Sequence, residues 1–359
     1  MSITKDKVTI VSPVYNTPEK YLNKLIKTVY AQTFGNVDLI FVDDGSQEHT
    51  VEYLKKIDKK YDKVTVIYHP HNKGCGEARK TGFRAVKDAE YVMECDPDDC
   101  IAVDAVEHLY NLAKKYGADV VTGGAQSVLG PFKLPYSPAY YMREERSFSR
   151  EEIVNDLLIS FFGYNKIPVA QWAKLYHKSL LPILSECVTV TDFAATDETV
   201  VLNIFAQANS LAVTPKAVYY YRQGGGSSQF REKYFEDVIA FYNYRKPFIE
   251  KYLKDYRENG RTARDYMDIE LKNETYFILN KFASANKPSR EELCKMAQTV
   301  LEQEEVVEVF KNRELKSNYI GYDEAVLSGD YSVVADYIEN AIKNRPLSRK
   351  IKEFIFKLF

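Results

Sequence analysis

Residues 37–46 read VDLIFVDDGS, a short apolar run that ends in two aspartates, a glycine and a serine. An apolar run followed by polar turn residues occurs three more times, as VTIVSPVYN at 8–16, VTVIYHPHNKG at 64–74 and YVMECDPDD at 91–99. Short apolar or β-branched runs that are bounded by turn residues are typical of buried parallel strands. The sequence therefore predicts strands at 8–12, 37–42, 64–69 and 91–95.

Segments with helical periodicity separate these runs, at 19–33, 50–61, 77–86 and 103–116. In the first of them, Leu22, Leu25, Ile26 and Val29 recur at three- and four-residue spacing, which places them on one face of a helix. Strands that alternate with helices in this way predict an α/β sheet. A further strand is predicted at 118–122, and the Gly-, Pro- and Ser-rich stretch 123–138 is predicted to be a long loop or lid.

The chain changes character after the glycines at 224–226. Long amphipathic stretches at 234–256, 263–285, 290–310 and 331–343 predict a helical C-terminal region that begins near residue 230. The predicted organisation is therefore an α/β domain over 1–229 and a helical region over 230–359. The last segment, 349–359, joins basic to apolar residues. Two interpretations of it stay open: packing within the helical region or in a homo-oligomer formed through the C-terminal helices, and peripheral contact with a membrane.

The composition excludes several classes of partner. The 49 Lys and Arg residues face 51 Asp and Glu residues, so the formal net charge is −2, and no overall positive field would gather nucleic acid. There is no signal-peptide pattern and no apolar run near the roughly 20 residues of a spanning helix. The five cysteines contain no Cys-x-x-Cys pair, which favours reduced thiols. We expect a cytoplasmic protein without a transmembrane segment, at most peripheral at the inner face of the membrane.

The turn at 96–99, Asp-Pro-Asp-Asp, is the most informative of the polar turns. Three carboxylates on one turn repel each other unless a cation neutralises them. Mg²⁺ and Mn²⁺ prefer oxygen ligands, and they commonly combine one or two carboxylates with phosphate oxygens of a substrate. Ligands of α/β sheets bind at the carboxyl ends of the strands. The sequence therefore predicts a Mn²⁺ or Mg²⁺ site at this edge of the sheet.

Several short motifs together resemble the signature of glycosyltransferase family 2. They are VSPVYNT at 11–17, QTF at 32–34, FVDDGS at 41–46, NKG at 72–74, ARKTG at 78–82 and DPDD at 96–99. The resemblance is dense over residues 5–125 and thins towards residue 230. It implies a GT-A fold, a nucleotide-sugar donor, a divalent metal and inversion at the anomeric carbon. In that case 1–125 would be the nucleotide-sugar half of the domain and 126–229 the acceptor half.

The resemblance, carried over residue by residue, assigns the donor site. Pro13 and Tyr15 would wall the pocket of the base. Asp44 would accept a hydrogen bond from uracil N3, and Asp43 would lie beside it. Arg79 would lie near the nucleotide, where its guanidinium fork suits phosphate or base oxygens.

The resemblance assigns the acidic turn to the metal and the diphosphate. Asp98 would ligate the metal that bridges the diphosphate, and Asp96 would meet the ribose, the metal or its bound water. Asp99 would hold the turn. Arg222 would reach the diphosphate when a lid closes, with the glycines at 224–226 as its hinge.

The family places a carboxylate base before a helix, usually as Glu-Asp, whereas this chain has the order Asp197-Glu198. Alignment of the aspartate favours Asp197 and alignment of the acidic pair favours Glu198, so both remain candidates for the general base. Trp172 begins the segment WAKLY at 172–176, which resembles the family's segment before the base. Two interpretations of Trp172 stay open: part of the acceptor floor, or packing in the core.

The function implied is metal-assisted transfer of a hexose or N-acetylhexosamine from a UDP-sugar to a saccharide, lipid-linked or protein-linked glycan. Such a role fits polysaccharide biosynthesis or glycoprotein glycosylation. Two alternatives remain: nucleotidyl transfer to a sugar phosphate, which also uses acidic turns in α/β sheets, and a non-catalytic scaffold that binds nucleotide sugars.

Overall fold

The computed structural model describes residues 6–129, 132–135, 137–191, 195–223, 230–231 and 233–344. The chain divides into two compact units. The first contains the described residues up to Ser160, those from Asn165 to 191 and those from Thr196 to 223. The second contains Phe161–Tyr164, Ala195 and the described residues from 230 onwards. The glycines at 224–226 and the segment 349–359, which carry the hinge and C-terminal predictions, lie outside the described residues.

Ten strands of the first unit form one sheet. They are β1 (Val8–Val14), β2 (Val37–Asp43), β3 (Val64–Tyr68), β4 (Tyr91–Glu94), β5 (Cys100–Ile101), β6 (Val120–Leu129), β7 (Phe132–Lys133), β8 (Arg146–Ser149), β9 (Lys174–His177) and β10 (Ser210–Arg222). The helices of this unit include α1 (Glu19–Tyr30), α2 (Glu48–Lys60), α3 (Cys75–Arg84), α4 (Ala105–Tyr116), the short α5 (Arg150–Glu152), α6 (Leu181–Glu186) and α7 (Thr196–Phe205).

The sheet is mixed, with the strand order β3-β2-β1-β4-β9-β6-β10-β5. Strands β1 to β4 run parallel to one another, β9 is antiparallel to both of its neighbours, and β6 pairs in parallel with β10. The four predicted parallel strands are confirmed, since each lies inside an observed strand or ends one residue beyond it. The carboxyl ends of β1 to β4 therefore meet at one edge, as the α/β pattern requires.

The core of this unit is the layer between the sheet and its helices. On α1, the predicted face of Leu22, Leu25, Ile26 and Val29 is buried. Full burial of an aliphatic side chain contributes roughly 1.5–3 kcal/mol relative to exposure. The apolar face of α1, with its three- and four-residue spacing, therefore packs against the sheet.

The prediction of a loop at 123–138 is wrong for its first part. Residues 120–129 form β6, which pairs with β9 and β10 in the middle of the sheet. Gly123 lies there because its neighbour leaves no room for a side chain: a Cβ atom would be 2.3 Å from Val218 Cγ2. The glycine that looked like a loop signal marks a close approach between strands.

The second unit is mainly helical. It contains α8 (Tyr234–Phe248), α9 (Ala263–Asn286), α10 (Arg290–Leu301), α11 (Glu304–Lys311), α12 (Tyr322–Leu327) and α13 (Tyr331–Lys343), with a small hairpin of β11 (Arg257–Glu258) and β12 (Arg261–Thr262). The predicted α/β domain with a helical C-terminal region is therefore confirmed as a fold class. No helix within the described ranges has the length and apolar character needed to cross a bilayer.

Two of the predicted C-terminal helices differ in detail. The stretch 290–310 is two helices, α10 and α11, and the break places Glu304 and Glu305 in the first turn of α11. There the positive end of the helix dipole stabilises their charge. The stretch 234–256 changes at Pro247 into a π-helical turn, Ile249–Leu253, because proline has no N–H for the helix ladder.

The close contact at Gly123 makes a stability prediction. We expect Gly123→Ala to lower the free energy of unfolding by about 1–3 kcal/mol, because the new methyl group overpacks the sheet against Val218. The matched control is Gly35→Ala, where no atom lies within 4 Å of the added Cβ. Urea denaturation of both variants measures the difference. Equal stabilities would contradict the placement of Gly123 inside the sheet.

Candidate active site

The loops after β1 and β2 are joined by two hydrogen bonds. The Asn16 N–H donates to Ser46 Oγ at 2.9 Å, and the Gln47 N–H donates to Asn16 Oδ1 at 2.7 Å. Gly45 has φ +72°, and a Cβ there would lie 2.6 Å from the backbone N of Asn72. Only glycine suits both the left-handed backbone and this close approach. The Asp-Asp-Gly-Ser turn therefore brings three strand-end loops together.

The carboxylate of Asp44 is the centre of this junction. It accepts hydrogen bonds from the Lys73 N–H at 2.9 Å, from the Gly74 N–H at 2.8 Å and from His69 Nδ1 at 2.7 Å. Because a carboxylate can only accept, His69 carries its proton on Nδ1 here, and its Nε2 faces Thr81 Oγ1 at 2.9 Å. Asp44 thus uses about three of roughly four acceptor positions.

The residues predicted to wall the base pocket lie at the end of β1, which pairs with the end of β2 just before Asp44. Pro13 is buried in β1, whereas Tyr15 directly after β1 is 54% exposed. Asp43 is buried, and its Oδ1 accepts no hydrogen bond from the described residues. A buried carboxylate oxygen with free acceptor capacity beside an exposed aromatic ring fits recognition of a planar base that presents an N–H group.

Arg79 of α3 is buried among carboxylates. Its Nε donates to Glu94 Oε1 at 3.1 Å, its Nη2 donates to Asp96 Oδ1 at 2.9 Å, and its Nη1 lies 3.8 Å from Asp197 Oδ1. The fork therefore connects the acidic turn with the start of α7. The sequence predicts Arg79 near the nucleotide, with its fork on phosphate or base oxygens, and in this structure two edges of its guanidinium are occupied by carboxylates.

Glu94 is a site residue that the sequence did not reveal. It is fully buried at the end of β4, and burial raises the pKa of Glu94 while the charge of Arg79 opposes that shift. Within the motif YVMECDPDD it is the last residue of an otherwise apolar strand. A glutamate inside an apolar run is the signal that could have drawn attention to it, because a carboxylate is buried only with a partner.

The acidic turn is also tied to β10. The Tyr219 O–H donates to Asp99 Oδ2 at 2.7 Å and accepts the Asp96 N–H at 3.1 Å, and the Arg222 N–H donates to Asp99 Oδ1 at 2.6 Å. Burial, with the charge of Asp96 adding to it, raises the pKa of Asp99 to about 8. The Arg222 guanidinium pairs with Asp98 and lies over the Tyr21 ring. Asp99 is therefore an anchor of the turn.

The acidic turn provides the carboxylate oxygens that a divalent cation prefers, but it does not provide a complete set of ligands. Asp96 and Asp98 offer hard carboxylate oxygens, and each is paired with an arginine. Among the described residues, no group of three or more His, Cys, Asp or Glu side chains is arranged to hold a metal ion. Mg²⁺ and Mn²⁺ usually take one or two carboxylates and complete their coordination with water and phosphate oxygens. The residues present fit a metal that binds together with a diphosphate.

Trp172 belongs to an aromatic stack that is joined to the acidic turn through Tyr219. Its ring stacks on Tyr219 with 4.9 Å between the centroids and on Tyr221 with 5.7 Å. Tyr219 in turn bonds to Asp96 and Asp99. Trp172 is only partly buried, so the stack has a face on which a sugar ring can pack.

The two candidate bases begin α7. Asp197 accepts a hydrogen bond from Thr196 Oγ1 at 3.2 Å, and its side chain is 25% exposed. Glu198 follows on the same helical turn and is partly buried. The structure thus brings Asp197, Asp96 and Arg79 together.

Several known proteins are similar to this chain in sequence or in fold. A profile of the family described as Glycosyl transferase family 2 matches residues 9–171. The chain is 27% identical over 312 residues to glycosyltransferase GlyA of Streptococcus pneumoniae, covering 79% of this chain and 43% of that protein. It is 28% identical over 217 residues to a poly(ribitol-phosphate) beta-glucosyltransferase of Bacillus spizizenii, covering 60% of this chain and 32% of that protein. The chain spans less than half the length of these relatives.

A solved structure with a similar fold is S. aureus TarS 1–349 in complex with UDP-GlcNAc. Its TM-score is 0.61 at 18% identity, and the match covers 94% of this chain and 92% of that chain. The likeness shows that the two chains share a fold.

The composition of the acidic turn predicts metal-dependent binding of UDP. We expect Asp98→Ala to weaken UDP binding in the presence of Mn²⁺ by tenfold or more, about 1.4 kcal/mol, because the diphosphate and the remaining carboxylates then repel each other. Isothermal titration calorimetry with and without Mn²⁺ measures the change. Asp62→Ala is the control, since Asp62 is exposed and precedes β3 at the other end of the strands. Undiminished metal-dependent affinity would rule out Asp98 as a ligand.

Proposed function

Since this chain belongs to glycosyltransferase family 2 and has the GT-A fold, we propose that it transfers a hexose or N-acetylhexosamine from a UDP-sugar to a glycan acceptor, with inversion at the anomeric carbon. The acceptor is a saccharide, free or carried on a lipid or a protein. The observation that carries the proposal is the buried Arg79 fork, which holds Asp96 of the acidic turn and lies beside Asp197. A donor-binding group and a candidate base are thereby brought together.

The donor side of the proposal is supported by the junction around Asp44. Tyr15 offers an exposed ring for the base, and Asp43 Oδ1 and the remaining position on Asp44 Oδ2 offer acceptors for uracil N3–H. TarS, which shares this fold, has been solved in complex with UDP-GlcNAc. We therefore place a UDP-N-acetylhexosamine first among the donors to test.

Asp96 and Asp98 would hold the Mn²⁺ or Mg²⁺ ion, which would stabilise the negative charge on the departing diphosphate. Arg222, paired with Asp98 in this structure, lies where its guanidinium would add to that stabilisation. On the opposite side of the reacting carbon, the acceptor hydroxyl oxygen forms a bond to C1 as the bond from C1 to the diphosphate oxygen breaks. Asp197 accepts the hydroxyl proton, and UDP leaves with the bonding electrons.

Asp197 is the better candidate for the base. Its carboxylate lies 3.8 Å from Arg79 Nη1, so its position is tied to the turn that would bind the donor. Trp172 and Tyr221 present stacked rings near the same turn, and we assign them to the acceptor sugar. The family match weighs against nucleotidyl transfer and against a non-catalytic scaffold.

The proposed role of Asp197 is tested by a matched pair of variants. We expect Asp197→Asn to lower turnover by about 10² or more, the usual scale for removal of a general base, while the Kd of UDP changes little. Glu198→Gln should retain most of the activity. Release of UDP from UDP-GlcNAc, UDP-glucose and UDP-galactose, with Mn²⁺ and a panel of oligosaccharide acceptors, measures both variants. The opposite pattern would make Glu198 the base.

A further inference from the structure

His69, the first residue after β3, lies buried between a carboxylate and a hydroxyl group. On one side its Nδ1 donates to Asp44 Oδ1 at 2.7 Å. On the other side its Nε2 lies 2.9 Å from Oγ1 of Thr81, a residue of α3. Because a neutral imidazole has one donor and one acceptor, the Thr81 hydroxyl then donates to Nε2. A chain of two hydrogen bonds thus runs from α3 through the ring to Asp44.

The hydrogen bonds on Asp44 are distributed unequally over its two oxygens. Oδ1 accepts from His69 at 2.7 Å and from the Lys73 N–H at 2.9 Å. Oδ2 accepts the Gly74 N–H at 2.8 Å, and that N–H is shared with Asn72 Oδ1 at 3.1 Å. A carboxylate oxygen has about two acceptor positions. Oδ1 is therefore filled, and Oδ2 retains room for one further donor.

His69 is the most firmly held of the groups that donate to this carboxylate. Its N–H donates to the Asp43 carbonyl oxygen at 2.8 Å, which continues the pairing of β2 with β3. Its ring is fixed from the other side by Thr81. Residues 71–73 are exposed, so the loop that supplies the two backbone donors has less support from packing. The orientation of the Asp44 carboxylate therefore depends mainly on His69.

We propose that His69, held by Thr81, is a positioning residue that orients Asp44 Oδ2 towards the N3–H group of uracil and thereby sets the selectivity for uracil over cytosine. The proposal rests on the proposed function, in which the donor is a UDP-sugar. Uracil carries a hydrogen on N3, whereas N3 of cytosine is an acceptor, which a carboxylate oxygen repels. The competing explanation is structural: the pair of His69 and Asp44 only holds the strand-end loops together.

The ratio of the Kd of CDP to the Kd of UDP measures this selectivity. The two nucleotides carry the same ribose and diphosphate, so the contributions of Mn²⁺ and of the acidic turn cancel in the ratio. Isothermal titration calorimetry with Mn²⁺ gives both constants. For the unaltered protein we expect a ratio of about 10 or more, the scale of one hydrogen bond to a charged group.

Two amide side chains at position 69 separate the roles of the ring nitrogens. The amide nitrogen of asparagine matches Nδ1 in reach, and that of glutamine matches Nε2. His69→Asn therefore keeps a donor to Asp44 and should leave the ratio within about twofold, whereas His69→Gln loses that donor and should lower the ratio about fivefold. His49→Gln changes an exposed histidine of α2. It is the control and should leave the ratio unchanged.

A second pair of variants tests the hydroxyl group behind the ring. Thr81→Val removes the donor to Nε2 with little change in volume and should lower the ratio about threefold, whereas Thr81→Ser keeps the hydroxyl and should retain the ratio. Thr65→Val, at an exposed position of β3, is the matched control. This pair replaces the first if a His69 variant does not fold, as judged by thermal unfolding.

The results that would overturn this role differ from those that would overturn the proposed donor. A ratio near 1 for the unaltered protein would reject a uracil-selective site, and the role of His69 would fall with it. A selective protein whose ratio is unchanged in both His69→Gln and Thr81→Val would reject the positioning role and leave the UDP-sugar donor standing. Equal losses in His69→Asn and His69→Gln, with equally lowered unfolding temperatures, would support the structural explanation instead.

Discussion

The Arg79 guanidinium lies buried between carboxylates that come from three separate parts of the chain: the end of β4, the acidic turn and the start of α7. A buried charge is tolerated only when it is paired, and loss of one partner of a buried pair typically costs about 3–5 kcal/mol. Arg79 and the carboxylates therefore depend on each other for their burial. This mutual dependence holds α3, β4 and α7 in one arrangement around the site.

The strand order explains why the site has so many contributors. Strands β1 to β4 bring their polar loops to one edge, as parallel strands do. β9 then enters antiparallel between β4 and β6, so Trp172 arrives from a part of the chain far from the first motifs. β10 adds Tyr219 and Arg222, which bond to the acidic turn. Several strands and the loops at their ends thus supply the groups, and the hydrogen bonds between neighbouring strands determine their spacing.

Charge balance distinguishes the two sides of this site. The carboxylates of the acidic turn form ion pairs with Arg79 and Arg222. These pairs neutralise the turn although the described residues contain no group of three or more side chains arranged to hold a metal ion. Asp197 has weaker contacts, a hydrogen bond of 3.2 Å from Thr196 Oγ1 and a distance of 3.8 Å to Arg79 Nη1. The two environments suit the roles proposed above, a donor that carries its own phosphates at the turn and a base that exchanges a proton at Asp197.

The sequence by itself determined the parallel strands, the helices between them, the polar turns at their ends and the helical character of the C-terminal region. These features depend on local periodicity and turn chemistry, which can be read within about ten to twenty residues. The tertiary structure decided that Gly123 lies in a central strand, because only Val218 across the strand pair explains the glycine. It also places Glu94 and His69 in the candidate site, where they bond to Arg79 and Asp44. Their hydrogen-bond partners lie on other elements of the fold. Because a buried polar group is stabilised by its partners, its role cannot be predicted until the fold brings those partners together.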